Sequence, residues 1–140
     1  MSRPRFGRSF KPLRRPLLWG GLWIAAIAVV VVLSLAPSVP MPDVPDGDKL
    51  GHFLAYFALA AAAVQLYARW PALLGAGVGL VLLGIGLEYA QGALTQTRMQ
   101  DSADAFANTL GVIVGLSTRL TPFRDVLLQF DTRGLDGVGR

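Results

Sequence analysis

The sequence predicts an all-α fold, a four-helix transmembrane bundle, and three observations predict it. Of its 140 residues, 53% are hydrophobic and only 16% charged, a balance too apolar for an ordinary soluble domain. Three stretches, Leu17 to Leu35, Leu50 to Leu66 and Trp70 to Leu87, carry no formal charge when His52 is counted neutral. Each approaches the roughly 20 residues that a helix needs to cross the hydrocarbon core. Finally, six of the thirteen Lys and Arg residues fall within the first fifteen positions, "MSRPRFGRSFKPLRR", directly before the first apolar run. Basic residues in that place orient a membrane segment and argue against a nucleic-acid partner, despite the net charge of +4.

The chain divides into a basic N-terminal segment (1–15), a membrane domain (16–120) and a C-terminal tail (121–140). The first helix is expected over about 16–36. Pro16 suits a first turn, and the prolines of "APSVPMPDVP" forbid continuation. The run is longer than a secretory signal's apolar region and is followed by prolines that suit cleavage poorly, so an uncleaved helix is expected. Asp46 or Asp48 can cap the second helix (about 49–67), which ends at a tight turn around Arg69, Trp70 and Pro71.

The third helix, about 70–91, is rich in glycine. That weakens a helix in water but lets backbones approach closely in lipid. The fourth, about 101–120, is the shortest apolar run. Only Ala105 to Thr118 is free of charge, about 21 Å at 1.5 Å per residue, whereas Asp101 to Leu120 gives about 30 Å. It spans if Asp104 and Asn108 lie below the headgroups, and is otherwise re-entrant. In the tail, Phe123, Val126, Leu127 and Phe130 have the spacing of a short interfacial helix.

Charge then orients the bundle. With a cytoplasmic N-terminus the inner side receives Arg3, Arg5, Arg8, Lys11, Arg14, Arg15, Arg69, Arg119, Arg124, Arg133 and Arg140, and the outer side only Lys49 and Arg98. Eleven bases against two predict that both termini are cytoplasmic, in the inner (cytoplasmic) membrane of the cell.

This topology gathers the polar residues of the membrane region at one end. Lys49, His52 and Tyr56 share a face of the second helix, continued by Ala60 and Ala63. Gly77, Gly84, Glu88 and Gln91 share a face of the third, and Asp101, Asp104, Asn108, Gly111 and Gly115 a face of the fourth. Small residues below polar ones are what a helix interface in lipid looks like. Because an ionisable group at depth costs at least ~2.5 kcal/mol, these groups should face one another or a wet cavity. Each also has a structural reading: Asp48 and Asp101 as caps, Lys49 as a snorkelling base, His52 as a solvated interfacial ring, Tyr56 as an anchor. Arg98, in the loop before the fourth helix, can pair with Glu88 or Asp104.

The absence of cysteine excludes disulfides, thiolate metal sites and cysteine nucleophiles. A single histidine argues against an ordinary zinc site, leaving Mg²⁺ or Mn²⁺ on His52, Glu88, Asp101 and Asp104 as the metal alternative. Alternatively, His52 could act as a general base oriented by a carboxylate. No G-x-S-x-G or H-E-x-x-H occurs, so the residues assign no catalytic role and no cofactor.

The strings "DKLGHFLAYFAL" and "GIGLEYAQGALTQTRMQDSADAFANTLGVIVG" resemble the VanZ-like family of small bacterial membrane proteins, named for a teicoplanin-resistance protein. The family's pattern is Asp-Lys-x-x-His-x-x-x-Tyr at a helix start and Glu-x-x-Gln at a helix end. An Arg follows in the next loop, then Asp and Asn-x-x-Gly on the last helix. Asp48, Lys49, His52, Tyr56, Glu88, Gln91, Arg98, Asp104, Asn108 and Gly111 fill those places, over roughly 48–116. The resemblance implies the four-helix layout, a connection to the cell envelope and to tolerance of teicoplanin-type glycopeptides; it brings no mechanism.

Three functions are compatible with these residues. In the first, an outer-facing polar pocket binds or modifies an envelope lipid or lipid-linked precursor. In the second, the polar cluster only locks the helices of a structural or interaction protein. The third, a proton-coupled transporter, ranks lowest because the inner halves of the helices offer no acid or base to complete a path.

Overall fold

The computed structural model describes residues 9–36, 47–94 and 102–136. It is all-helical: α1 (Pro16–Leu35), α2 (Gly47–Leu66), α3 (Trp70–Leu94), α4 (Ser102–Ser117) and α5 (Val126–Asp136). Two 3₁₀ turns, Thr118–Leu120 and Pro122–Asp125, join α4 to α5. Helices α1, α2 and α3 are long and apolar enough to cross a membrane, as the composition requires.

Pro16 stands in the first turn of α1. At its other end Ala36 is extended, at φ −70° and ψ 153°, the conformation that a following proline imposes. The helix is apolar on every side, with Leu17 89%, Val32 65% and Leu33 62% exposed. Such a surface is stable only where the solvent is itself hydrocarbon. The α-helical part of the fourth segment stops at Ser117 and a 3₁₀ turn carries it to Leu120. The 16 residues of α4 rise about 24 Å and the turn adds about 6 Å.

Helix α2 is the hub. Its most extensive interface is with α4, and it also meets α1, α3 and α5. Gly111 and Gly115 explain the close approach. A Cβ on Gly115 would lie 2.6 Å from both the Ala60 Cβ and the Phe57 carbonyl oxygen, and one on Gly111 would overlap the Phe53 carbonyl oxygen. Two apolar clusters fill the bundle, one around Tyr56, Leu59, Ala60, Leu80 and Val112, the other around Ala63, Val64 and Leu73. Leu116 packs against both.

One end of the bundle, where α1 and α3 begin and α2 and α4 finish, is tied together by polar contacts. The chain before α1 pairs with the end of α2, through Lys11 N–H to Leu66 O and Ala68 N–H to Ser9 O, both 2.8 Å. Phe10 stacks on Tyr67 at 5.1 Å. Gln65 clasps the tail, donating to Phe123 O at 2.9 Å and accepting from Leu127 N–H at 3.0 Å.

Asp131 of α5, 7% exposed, caps the start of α1. Its carboxylate accepts from the Arg14 and Arg15 amides and from the Trp19 indole at 3.0 Å. These donors, led by the indole, hold its carboxyl below the usual Asp range, as a negative group at a helix N-terminus should be. The sequence places the tail helix correctly but treats Asp131 only as tail charge. The spacing that marks Phe123, Val126 and Phe130 as one apolar face matches what is exposed, at 68%, 51% and 68%, while Leu127 turns inward to line a groove with Trp19 and Trp23.

Candidate functional site

The opposite end is formed by the start of α2, the end of α3 and the start of α4. Periodicity on each helix singles out the residues that should meet there, and the buried positions of α3 include Gly77, Gly84, Glu88 and Gln91. Those of α4 include Asn108, Gly111 and Gly115, and those of α2 include Tyr56, Ala60 and Ala63. The three faces turn toward one another.

His52 is the connecting residue. Its Nδ1 lies 3.0 Å from Asn108 Oδ1, and its Nε2 lies 3.7 Å from Asp104 Oδ2. The first distance is a hydrogen bond; the second is an ion-pair distance, too long for a direct bond. An imidazolium donates from Nδ1 to Asn108 and faces the Asp104 carboxylate as an ion pair. The neutral ring protonated at Nδ1 keeps the bond to Asn108 and presents Nε2 as a base toward Asp104.

The site is layered by depth. The His52 and Asp104 side chains are 17% and 15% exposed, whereas Tyr56 is 1%, Asn108 2%, Gln91 2% and Glu88 3% exposed. Lys49 is half-buried, one turn before His52 on α2. Glu88 stands within electrostatic reach of the Tyr56 hydroxyl. Gly84 makes room for this layer, since a Cβ there would lie 3.1 Å from Asn108 Nδ2 and 3.3 Å from Tyr56 Cε1. A rim of His52, Asp104 and Lys49 thus lies above a floor of Tyr56, Glu88 and Asn108.

Gln91 does something the sequence does not signal. Its Nε2 donates to the Ser34 carbonyl oxygen at 2.8 Å, tying α3 to α1. Ser34 sits in an unbroken apolar run, so only the tertiary structure makes it a partner. Trp23 acts likewise lower on α1, donating from Nε1 to Leu59 O of α2 at 3.0 Å. Among the described residues every buried side-chain nitrogen and oxygen has a partner.

Arg98, Asp101 and the side chain of Asp48 lie outside the described residues, and with them the expected Arg98 pairing and both caps. Among the described residues no group of three or more His, Asp or Glu stands close enough to hold a metal ion, so the four-residue set of His52, Glu88, Asp101 and Asp104 is not assembled from its described members. What the arrangement offers is a base or cation, a carboxylate and a lysine, all partly exposed at one end of the bundle. Compared with known proteins, the chain matches no family model, no curated protein and no solved structure.

Proposed function

We propose that the chain is a VanZ-like, four-span protein of the inner (cytoplasmic) membrane, with both termini in the cytoplasm. Its outer-facing mouth binds the polar head of an envelope lipid or lipid-linked precursor, and through that ligand it bears on tolerance of teicoplanin-type glycopeptides. The observation that supports this best is the placement of His52, which joins buried Asn108 to Asp104 at a partly exposed rim. The 3.7 Å between His52 Nε2 and Asp104 suits a ligand hydroxyl or phosphate oxygen that engages both. Lys49 adds a positive charge beside them. The excess of basic residues at the opposite end supports the orientation.

A second reading is favoured by the Gln91 bond to Ser34 and by the satisfaction of every buried polar side chain among the described residues: the cluster locks the helices, and function lies on other surfaces. One experiment separates the two. The protein is purified in lipid discs, co-purifying lipids are identified by mass spectrometry, and wild type is compared with Asp104→Ala and Asn108→Ala. Ligand binding at the rim requires a lipid enriched over the bulk membrane, lost in a folded Asp104→Ala protein. If no lipid is enriched, or if the rim variant retains it, the ligand reading fails. Loss of abundance in both variants supports locking.

A further inference from the structure

The tied end of the bundle carries a second polar feature, which the mouth at His52 does not use. A cavity of about 390 Å³ is lined by Lys11, Arg119, Arg124, Asp125 and Leu128, where the chain before α1 meets the turns between α4 and α5. Lys11 Nζ lies 2.9 Å from Asp125 and also donates to the Arg124 carbonyl oxygen. Arg124 Nε is 3.6 Å from the same carboxylate, and its side chain is 61% exposed. The Arg119 guanidinium lies over the Trp70 ring at 4.4 Å. Three cations therefore surround one carboxylate, leaving an excess of two positive charges in the cavity.

The surroundings say what kind of anion belongs there. Leu120 and Phe123, next in the chain to Arg119 and Arg124, are 77% and 68% exposed, and Trp70, 44% exposed, forms the base on which Arg119 rests. A site for a soluble anion has no use for an apolar rim. A site at the membrane interface does, because the headgroup phosphate and the acyl chains arrive together. Trp at the interface and basic cavities between helix ends are features of such positions.

We propose that this cavity binds the phosphate of an anionic phospholipid in the leaflet at the tied end, with the exposed face of the Pro122–Asp125 turn and α5 laid into the acyl boundary. The guanidinium groups of Arg119 and Arg124 take the phosphate, and Lys11, held by Asp125, completes the charge. The proposal is independent of which way the bundle is oriented and of what the mouth at His52 binds.

The test is native mass spectrometry of the full chain in detergent, titrated with phosphatidylglycerol, phosphatidylcholine or inorganic phosphate. Phosphatidylglycerol is expected to bind about tenfold more tightly than phosphatidylcholine. Arg119→Gln/Arg124→Gln should remove about tenfold of that affinity with phosphatidylcholine unchanged, each base near a surface contributing a several-fold effect. Arg119→Lys/Arg124→Lys should recover most of it. Arg14→Gln/Arg15→Gln removes two bases at the same end that do not line the cavity, and should leave binding within threefold. If the double glutamine variant does not fold, Arg124→Gln alone, at the exposed position, carries the same expectation at reduced size. Equal binding of the two lipids, equal losses in the two double variants, or displacement of phosphatidylglycerol by millimolar inorganic phosphate would each overturn the proposal.

Discussion

Replacing Gly115 with Ala tests the central packing claim, that α2 and α4 are held at a separation only glycine permits. The added Cβ would lie 2.6 Å from the Ala60 Cβ and the Phe57 carbonyl oxygen and 3.0 Å from the Ala61 nitrogen. Ordinary contact begins at 3.4 Å, so α4 must retreat by about 0.8 Å. Two of the three obstructing atoms belong to the α2 backbone, which cannot move aside as a side-chain tip can. Overpacking of this size costs about 1–3 kcal/mol, and the gain in helix propensity on losing a glycine offsets no more than about 1 kcal/mol. A net loss of about 1–2 kcal/mol is expected, measured by reversible unfolding in mixed micelles. Gly79→Ala is the control, because nothing lies within 4 Å of its Cβ position, and it should match or slightly exceed wild type. Gly111→Ala should be at least as damaging as Gly115→Ala, and it lies one turn from Asn108. A retreat of nearly 1 Å there takes the 3.0 Å His52–Asn108 bond beyond hydrogen-bond length, which the nitrogen-15 shift of His52 Nδ1 reports. Equal stability of Gly115→Ala and Gly79→Ala would refute the reasoning.

Further predictions concern the polar contacts. Asn108→Ala should cost about 1 kcal/mol, in the range of interhelical hydrogen bonds in membranes, while Asn108→Asp should retain the His52 contact; the same unfolding assay checks both. Gln65→Ala removes two bonds to the tail at about 1 kcal/mol each, and should hasten proteolysis after Arg133 without unfolding the bundle. The Asp131 carboxyl titrates below the usual Asp range because Trp19 and the Arg14 and Arg15 amides donate to it. Its contribution is therefore fully present above the ordinary Asp value near pH ~4 and is lost as pH falls through its lowered value in the folded state. Trp19 emission should shift on acidification in wild type, and Asp131→Asn should show the shifted spectrum already at neutral pH. An unchanged Asp131→Asn spectrum argues against the cap.

Much of the membrane architecture was legible because hydrophobic length and charge placement are properties of consecutive residues. The α1 stretch ends before Pro37 for a reason written in its own dipeptide, and the apolar face of the tail helix follows from the spacing of Phe123, Val126 and Phe130. The buried faces of α2, α3 and α4 were legible too, since residues three and four apart must share a side. The periodicity of each helix predicts that His52, Asp104 and Asn108 face the bundle. It does not predict that His52 bridges the other two, because that depends on the rotation and height of α2 relative to α4.

By itself, then, the sequence determined a membrane-spanning helical chain, the faces its helices bury and the polar residues that belong together at one end. Tertiary structure alone decided which of them touch. Gln91 reaches Ser34 on α1, and Asp131 caps a helix that begins more than a hundred residues earlier. Neither Ser34 nor Asp131 has a local pattern that announces a partner. Periodicity fixes direction around an axis, but pair distances depend on how closely two axes approach, and here that approach is set where Gly111 and Gly115 meet the backbone of α2.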